Sequence, residues 1–374
     1  AILVLDGTYF YIKKSSQFHF QRKCYSLHKN RLLVKTMMVV STTGHIISSL
    51  GPYFSDGKNN DANILIHGLK TNAEDMSNWL REGDIVVVDR GFRDSVEFLD
   101  DLRIKTEMPV FLRRGQKQHT VEESNSSRLV TKIRWVVESV NGKVKCWKYL
   151  ANILPNSQIP YIGEYVSLVS AIVNKYCKPL NPSHVDDELI GCKMLHLSTQ
   201  KNCLKERIER DHLERRPSNW LSVSSVGDCF NDFPKLQEDE LRQLTLGVYQ
   251  LKLAKSYSVE HLNADGSYEM FVNKQDEGLL MGKIQSRHVS SRIHKLWIEY
   301  DDVMVKGWYC QCRSGARVVG TCAHVASVVW FLGCARHRDI DFNFTVDWSA
   351  YLTDAKDLPE PQLIDDDNEV STEE

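Results

Sequence analysis

Hydrophobic and polar positions follow two different periods along the first 177 residues, and together they predict an α/β domain. Runs of consecutive or alternating apolar residues predict strands at positions 2–5, 9–12, 32–41, 44–50, 85–88 and 110–112. Apolar residues at helical spacing predict helices at 61–69, 95–102, 132–145 and 161–176. Hairpins come first, and alternating strands and helices follow, which indicates a mixed sheet flanked by helices over residues 1–177.

The pattern changes after this domain. Positions 178–255 are predicted to be a helical connecting region, and within it the charged segment 200–216 has Glu and Arg at the spacing of a solvated helix. Positions 256–345 contain a small cysteine-rich module with its core at 289–334. The segment 354–374 is acidic and has few large apolar residues, so we expect it to be disordered.

Length and composition limit the classes of protein to consider. A chain of 374 residues predicts two or three domains, and its formal net charge of −2 means that nucleic-acid affinity has to come from local basic patches. No apolar run approaches the ~20 residues of a membrane-spanning helix, and no signal peptide is visible. We therefore expect an intracellular protein with reduced cysteines. Because the chain begins with strand residues and without Met, we expect it to be a fragment of a longer protein from which an upstream domain is missing.

Four residues near the C-terminus have the spacing of a metal site. Cys310, Cys312, Cys322 and His324 form the pattern Cys-x-Cys-x9-Cys-x-His. Three thiolates and one imidazole are the ligand set of a closed, tetrahedral structural zinc site. A strand at 298–306 is expected to lead towards the first two cysteines, and a helix at 324–332 to follow the second pair. The alternative is a set of buried, inert cysteines.

This pattern resembles the SWIM-type zinc finger, a small ββα module, over about 289–334. The resemblance implies one structural Zn²⁺ ion. It also implies contacts with DNA or with protein partners, and it does not specify the target.

Two carboxylates stand in the same setting along the chain. Asp6 follows the apolar run 2–5, and Asp89 follows the apolar run 85–88. A carboxylate at the end of a buried strand is costly unless it is paired or binds a cation. The two residues together predict adjacent strand ends that present oxygens to one site. For either residue alone, a strand-end turn or a helix cap is the alternative.

A third carboxylate, Glu138, lies on the predicted helix 132–145. Arg134, Glu138, Asn141 and Lys145 follow one another at spacings of four, three and four, so they share a helix face. That face places a carboxylate among a guanidinium, an amide and an ammonium. The alternative is an exposed face on which Glu138 pairs with Arg134.

Together these residues resemble the Harbinger-like branch of the DDE superfamily of transposase nucleases. The motifs that carry the resemblance are Leu5-Asp6-Gly7-Thr8, Val88-Asp89-Arg90-Gly91-Phe92 and Arg134-Trp135-Val136-Val137-Glu138, followed by Asn141-Gly142-x-Val144-Lys145. The resemblance covers about 1–176 and implies an RNase H-like fold with a five-stranded mixed sheet. It also implies that the catalytic residues Asp6, Asp89 and Glu138 bind two Mg²⁺ or Mn²⁺ ions.

Hydrolysis of a DNA phosphodiester is consistent with such a site. Two hard cations ~3.5–4 Å apart activate water, neutralise the phosphate and stabilise the leaving 3′-oxygen, and they bind carboxylate oxygens. We expect Asp6 to bridge both ions, and Asp89 and Glu138 each to complete one coordination shell. Arg134 and Lys145 are predicted to contact DNA phosphates, since positions 103–148 contain eleven Arg and Lys against four Asp and Glu. The alternative is a solvated surface with scattered charges.

The sequence therefore predicts a transposon-derived, metal-dependent DNA endonuclease joined to a SWIM-type zinc finger, in the nucleus with its substrate. A second interpretation stays open. In it the nuclease fold is a non-catalytic scaffold, and the zinc finger supplies binding to DNA or protein. The presence of all three acids favours the endonuclease.

Overall fold

Two sheets organise the chain, one in each half. The computed structural model describes residues 1–180, 187–215, 217–224, 230, 232–261, 269–286, 289, 291–338 and 351–352. The segment predicted to be a disordered tail, 354–374, lies outside these residues. Within the described ranges, no helix combines the length and the apolar character that crossing a membrane requires.

The first sheet is mixed. Its strands are β1 (Ile2–Tyr11), β2 (Tyr25–Ser26), β3 (Arg31–Ser41), β4 (Ile46–Tyr53), β5 (Ile85–Val87) and β6 (Lys105–Glu107). The order across the sheet is β4-β3-β1-β5-β6, and β2 pairs with the start of β3. β1 runs antiparallel to β3 and parallel to β5, so it is the strand at which the sheet changes direction. The predicted mixed α/β architecture is confirmed.

Helices cover both faces of this sheet. They are α1 (Phe18–Cys24), α2 (Asp61–Lys70), α3 (Met76–Trp79), α4 (Val96–Asp101), α5 (Val121–Lys145), α6 (Lys148–Ala151) and α7 (Ile162–Tyr176). α5 and α7 pack on the face that includes Val4 and Phe10. α2 and α4 pack on the face that includes Leu3 and Leu5. Because successive strand residues point to opposite faces, Asp6 points, like Val4, towards α5.

The second sheet is antiparallel throughout. Its strands are β7 (Trp220–Ser224), β8 (Glu269–Asn273), β9 (Asp276–Gln285), β10 (Ile293–Tyr300) and β11 (Val305–Cys310), in the order β11-β10-β9-β8-β7. The helices of this half are α8 (Asp187–Ser198), α9 (Cys203–Arg210), α10 (Glu238–Thr245), α11 (Val248–His261) and α12 (Ala323–Gly333). Residues of α10, α11 and α12 share one core with the sheet, and residues of α9 share another.

The first half differs from the prediction in two strands. Positions 2–5 and 9–12 were predicted as separate strands, but β1 is continuous through Asp6, Gly7 and Thr8, which pair with residues 36–38 of β3. The predicted strand at 110–112 is wrong, and β6 lies earlier, at Lys105–Glu107. The backbone of Val110 forms hydrogen bonds with side chains and not with a neighbouring strand: Ser127 Oγ accepts from its N–H, and Arg90 donates to its carbonyl.

The helix predicted at 132–145 begins eleven residues earlier, as α5. A capping box starts it, in which Thr120 and Glu123 each accept from the other's backbone N–H. The added turns bury polar residues such as Ser124, Asn125 and Arg128, so the hydrophobic period did not reveal them. Asn125 accepts from the N–H groups of residues 318 and 319, so the N-terminal half of α5 packs against the second half of the chain.

Two predictions in the second half are also wrong. The strand predicted at 298–306 is interrupted: it covers the end of β10, the turn at 301–304 and the start of β11, and in the turn Asp301 accepts from the N–H groups of residues 303 and 304. The solvated helix predicted at 200–216 is shorter, because α9 ends at Arg210 and His212 takes a left-handed φ of 51°. Leu204 and Ile208 bury one side of α9. The prediction of a helix at 324–332 is confirmed by α12.

Candidate functional site

Asp6 lies in the middle of β1, beneath α5. Its side chain is 18% exposed. Asn141 Nδ2 donates to Asp6 Oδ2 over 3.2 Å, and Arg134 Nη1 lies 3.7 Å from Asp6 Oδ1. The helix face predicted to carry Arg134, Glu138 and Asn141 is therefore the face that meets Asp6.

Asp89 follows β5, the strand parallel to β1. It is the N-cap of a short 3-10 helix, Arg90–Ser95, and its Oδ1 accepts from the N–H of Gly91 over 2.7 Å. The alternative role considered for Asp89 from the sequence, that of a helix cap, is therefore present in the structure. The same carboxylate also raises the pKa of Asp6, so Asp89 lies close enough to act on Asp6 electrostatically.

Glu138 lies on α5 and is the most exposed of the three acids, with 54% of its side chain accessible. Arg134, one turn earlier, pairs with Glu138 and also faces Asp6. One guanidinium therefore lies between two of the predicted catalytic acids. The pairing of Arg134 with Glu138, the alternative considered from the sequence, is present together with the approach to Asp6.

The charges around Asp6 are unbalanced towards the negative. Burial raises the pKa of Asp6 to about 7; Arg134 opposes this shift, and Asp89, Asp61 and Glu138 add to it. Asn141 Oδ1 is buried and has no hydrogen-bond partner among the described residues. Carboxylates that raise one another's pKa beside an unpartnered amide oxygen are a donor set suited to a hard divalent cation.

Asp61 is a fourth carboxylate at this site, and the sequence analysis did not select it. It is the first residue of α2, and its Oδ1 lies 3.6 Å from Lys35 Nζ. A Cβ at Gly7 would meet Asp61 Oδ1 at 2.6 Å, so the glycine leaves the space that this carboxylate fills. Burial raises the pKa of Asp61, and Asp89 adds to that shift. The available signal was an Asp at the start of a predicted helix, which is common at helix N-termini.

Lys145, predicted to contact DNA, is half-buried in the structure. Its Nζ lies 3.6 Å from the centre of the Tyr9 ring, and burial lowers the pKa of its ammonium group. This cation–π contact holds Lys145 at the end of α5, one turn beyond Asn141. Arg134, the other predicted DNA contact, is held by Asp6 and Glu138.

Asp6 makes the stability of the protein depend on pH. Between the unfolded pKa of 3.8 and the folded pKa of about 7, the folded state keeps a proton that the unfolded state has released. Stability therefore falls as pH rises through this window. Without added Mg²⁺, we expect Asp6 to lower the unfolding free energy by a few kcal/mol between about pH 5 and about pH 8. Asp6→Asn should reduce this slope in thermal melts, and an unchanged slope would assign it to another group.

A second group of metal-ligating side chains lies in the other half of the chain. Among the described residues, only Cys310, Cys312, Cys322 and His324 form such a group of three or more with all ligand atoms within 4.8 Å of one another, and all four are buried. The described acids around Asp6 do not form such a group. His324 Nδ1 lies 3.7 Å from Cys310 Sγ and 4.0 Å from Cys322 Sγ.

Local geometry brings these four residues together. Cys310 ends β11, and Cys322 is the N-cap of α12, with its Sγ accepting from Val325 N–H. Between them the chain turns at Gly315, where a Cβ would lie 2.1 Å from the Cys310 carbonyl oxygen. Burial raises the pKa of Cys310, whereas hydrogen bonds from Cys310 and Cys312 lower the pKa of Cys322. Three thiols and an imidazole, buried this closely, fit Zn²⁺.

The cysteine loop contacts the N-terminal end of α5. Gln118, two residues before the Thr120 cap, donates to the carbonyls of both Cys310 and Cys312 over 2.7 Å. The N–H of His119 donates to the Arg313 carbonyl over 3.0 Å. The helix that carries Glu138 therefore starts on the loop that holds two of the cysteines. These contacts could not be predicted from the sequence, since they join residues almost two hundred positions apart.

One comparison with known proteins covers the part of the chain that contains the first of these sites. Residues 5–174 match the family model described as DDE superfamily endonuclease. No curated protein and no solved structure matches the chain. The matched region contains Asp6, Asp89 and Glu138 and ends before the Cys/His group. Residues 5–174 are therefore similar to the DDE superfamily endonucleases.

Proposed function

We propose that this domain is a divalent-metal-dependent DNA endonuclease with Asp6, Asp89 and Glu138 as its catalytic acids. The observation that carries the proposal is the environment of Asp6, a mostly buried carboxylate whose pKa is raised towards 7 beside three further acids. Such a group is costly for a fold unless a cation binds there. The strand order β4-β3-β1-β5-β6, with helices on both faces, supports an RNase H-like fold for the domain.

The three acids are suited to Mg²⁺ or Mn²⁺. Bound divalent ions supply charge neutralisation at the phosphate and a more acidic water. Asp6 is central among the acids, and Asp6, Asp89 and Glu138 are the residues that would hold the ions.

The neighbouring side chains hold these acids in place. Asn141 donates to Asp6 Oδ2 and so orients that carboxylate, and Gly91 N–H fixes Asp89. Arg134 offsets the negative charge of Asp6 and Glu138. If bound divalent ions offset that charge instead, the Arg134 guanidinium would be available to pair with a DNA phosphate. Lys145, which lies on the same helix as Arg134, is assigned to contact the DNA backbone. A protein with this activity is expected in the nucleus.

For the second half, we propose one structural Zn²⁺ on Cys310, Cys312, Cys322 and His324 in a SWIM-type module. The four buried ligand atoms within 4.8 Å support the site. The hydrogen bonds from Gln118 to the cysteine carbonyls support a role in holding the two halves together. The module offers its remaining surface to DNA or to a protein partner.

A second candidate function is a binding protein that keeps the nuclease fold as a scaffold. The observation that favours it is Arg134, whose guanidinium already lies against both Asp6 and Glu138. In a scaffold this arrangement would replace the metal permanently.

Nicking of supercoiled plasmid separates the two candidates. The endonuclease is expected to convert supercoiled plasmid to open circles in Mg²⁺ or Mn²⁺, and to lose this activity in Ca²⁺ or without a divalent ion. Absence of nicking by protein that has bound Mn²⁺ would favour the scaffold.

A further inference from the structure

A cleft separates α5 from the turn between α10 and α11. It has a volume of about 730 Å³. One wall is formed by α5, from Arg128 to Ser139, and the other by residues 247–252. Arg134 and Glu138 lie at its edge, so the cleft opens directly beside the acids of the proposed endonuclease site.

The lining of this cleft is strongly basic. Its charged residues are Arg128, Lys132, Arg134, Lys252 and Arg317 against the single acid Glu138. This surplus stands out in a chain whose formal net charge is −2. A concave surface of one sign concentrates ligands of the opposite sign.

Two of these cations are held without a carboxylate. Arg128 is 8% exposed; its Nη2 donates to the carbonyls of Thr245 and Leu246 and to Gln250 Oε1, and its Nε has no partner. Lys132 donates to the Leu246 carbonyl over 2.8 Å. In the part of the chain that the structure describes, no carboxylate lies within ion-pair distance of either residue.

Burial of these cations has a cost. Burial and the nearby Arg317 lower the pKa of Arg128 to about 9. Burial and Arg128 likewise lower the pKa of Lys132, and Asp187 offsets that shift only in part. Burial also lowers the pKa of Arg317, and the nearby cysteine thiols offset that shift only in part. Arg128 and Lys132 therefore lack the negative charge that buried cations ordinarily have, and a bound anion would supply it.

Aromatic rings stand exposed on both walls. Trp135 of α5 is 40% exposed, and Tyr249 of α11 is 61% exposed. Both line the cleft. Basic groups with exposed aromatic rings between them are the combination that binds unpaired nucleic-acid strands, since phosphates pair with the cations and bases stack on the rings.

A smaller cavity continues the cleft towards the cysteine loop. It has a volume of about 230 Å³ and shares Arg128 and Arg317 with the larger cleft. It adds Arg90, next to Asp89, and Arg313, next to Cys312. The basic lining thus extends from the acids to the proposed zinc module, and both halves of the chain contribute to it.

We infer that this cleft binds an unpaired DNA strand adjoining the phosphate that is cut, with phosphates on Arg128, Lys132 and Lys252 and bases on Trp135 and Tyr249. The inference rests on the proposed endonuclease function, because it places the strand at the edge of that site. It gives the second half of the chain a direct part in holding the substrate.

The test is the affinity of the full-length protein for a fluorescent single-stranded oligonucleotide, measured by anisotropy in Ca²⁺ so that no cleavage occurs. Lys132→Glu combined with Lys252→Glu is expected to weaken binding at least about tenfold. It should also reduce the slope of log affinity against log salt by about 1.4, that is, about 0.7 per lost phosphate contact. The matched control is Lys70→Glu with Lys274→Glu, two exposed lysines outside the cleft and the same change in charge. The control should bind like the wild type.

A second variant distinguishes a loss of strand binding from a folding defect caused by the substitution of Lys132. Tyr249→Ala removes an exposed ring and should weaken single-strand binding about tenfold without changing the salt slope. Cleft variants that bind the strand as tightly as the control would overturn the inference. Because binding is read without cleavage, this result is independent of plasmid nicking. If the wild type nicks plasmid and the cleft variants bind the single strand normally, the inference about the cleft is wrong and the endonuclease proposal still stands.

Discussion

Replacing Asp89 by Asn is expected to lower the rate of plasmid nicking by at least about 10²–10³-fold, the loss that follows removal of one charge-stabilising group from an active site. Asn has the shape of Asp and caps helices equally well, so the hydrogen bond to Gly91 N–H should survive. What is lost is the negative charge that would bind a divalent ion beside Asp6. The fold should keep its melting temperature within a few degrees.

The matched control for this variant is Asp94→Asn. Asp94 lies on the same short 3-10 helix, with its side chain 57% exposed and paired, among the residues that the structure describes, only with the neighbouring Arg93. Its replacement removes the same charge five residues away and should leave nicking unchanged. Equal nicking by Asp89→Asn and the wild type would show that Asp89 has no catalytic role.

The second large effect is expected from Cys312→Ser, which should abolish binding of one Zn²⁺ per chain. Structural zinc stabilises small zinc domains by on the order of 10 kcal/mol, and a serine hydroxyl does not replace a thiolate ligand. The loop 310–322 should then unfold locally and release its hydrogen bonds with Gln118. The sheet formed by β1 to β6 has its own cores and should stay folded. Zinc content and hydrogen exchange of the purified protein measure both effects.

Cys146→Ser provides the comparison for the zinc experiment. Cys146 is an exposed, unbridged cysteine just beyond the end of α5 and far from the loop in sequence. Its replacement should leave the zinc content at one ion per chain. If Cys312→Ser retains the same content, Cys312 does not belong to the ligand set.

The strand end before Asp89 and the helix face of Glu138 were readable from the sequence because they depend on local patterns, whereas Asp6 lies in the middle of β1 and not at the predicted strand end. The apolar run before Asp89 predicted β5, and the spacing of Arg134, Glu138 and Asn141 predicted one helix face. The pairing of β1 with β5, which brings Asp6 and Asp89 to neighbouring strands, was expected only from their similar context. Cys310, Cys312, Cys322 and His324 were likewise predictable, since they lie within fifteen residues.

Features that depend on distant contacts were not predictable. Asp61 looks like an ordinary residue at a helix start, and its place beside Asp6 follows from the space left at Gly7. The first three turns of α5 carry polar residues such as Asn125, whose partners lie in the second half of the chain. Polar positions give no hydrophobic period, so neither the helix start nor the cleft beside it could be inferred from the sequence.

Binding of Mn²⁺, followed by electron paramagnetic resonance, tests the central claim most directly. Zinc-loaded protein is titrated with Mn²⁺, so that the Cys/His site is already filled. If Asp6, Asp89 and Glu138 form one divalent-metal site, the wild type should bind Mn²⁺, and Asp6→Asn should weaken that binding at least about tenfold. Wild-type protein that binds no Mn²⁺, or an Asp6→Asn variant that binds it equally well, would contradict the account.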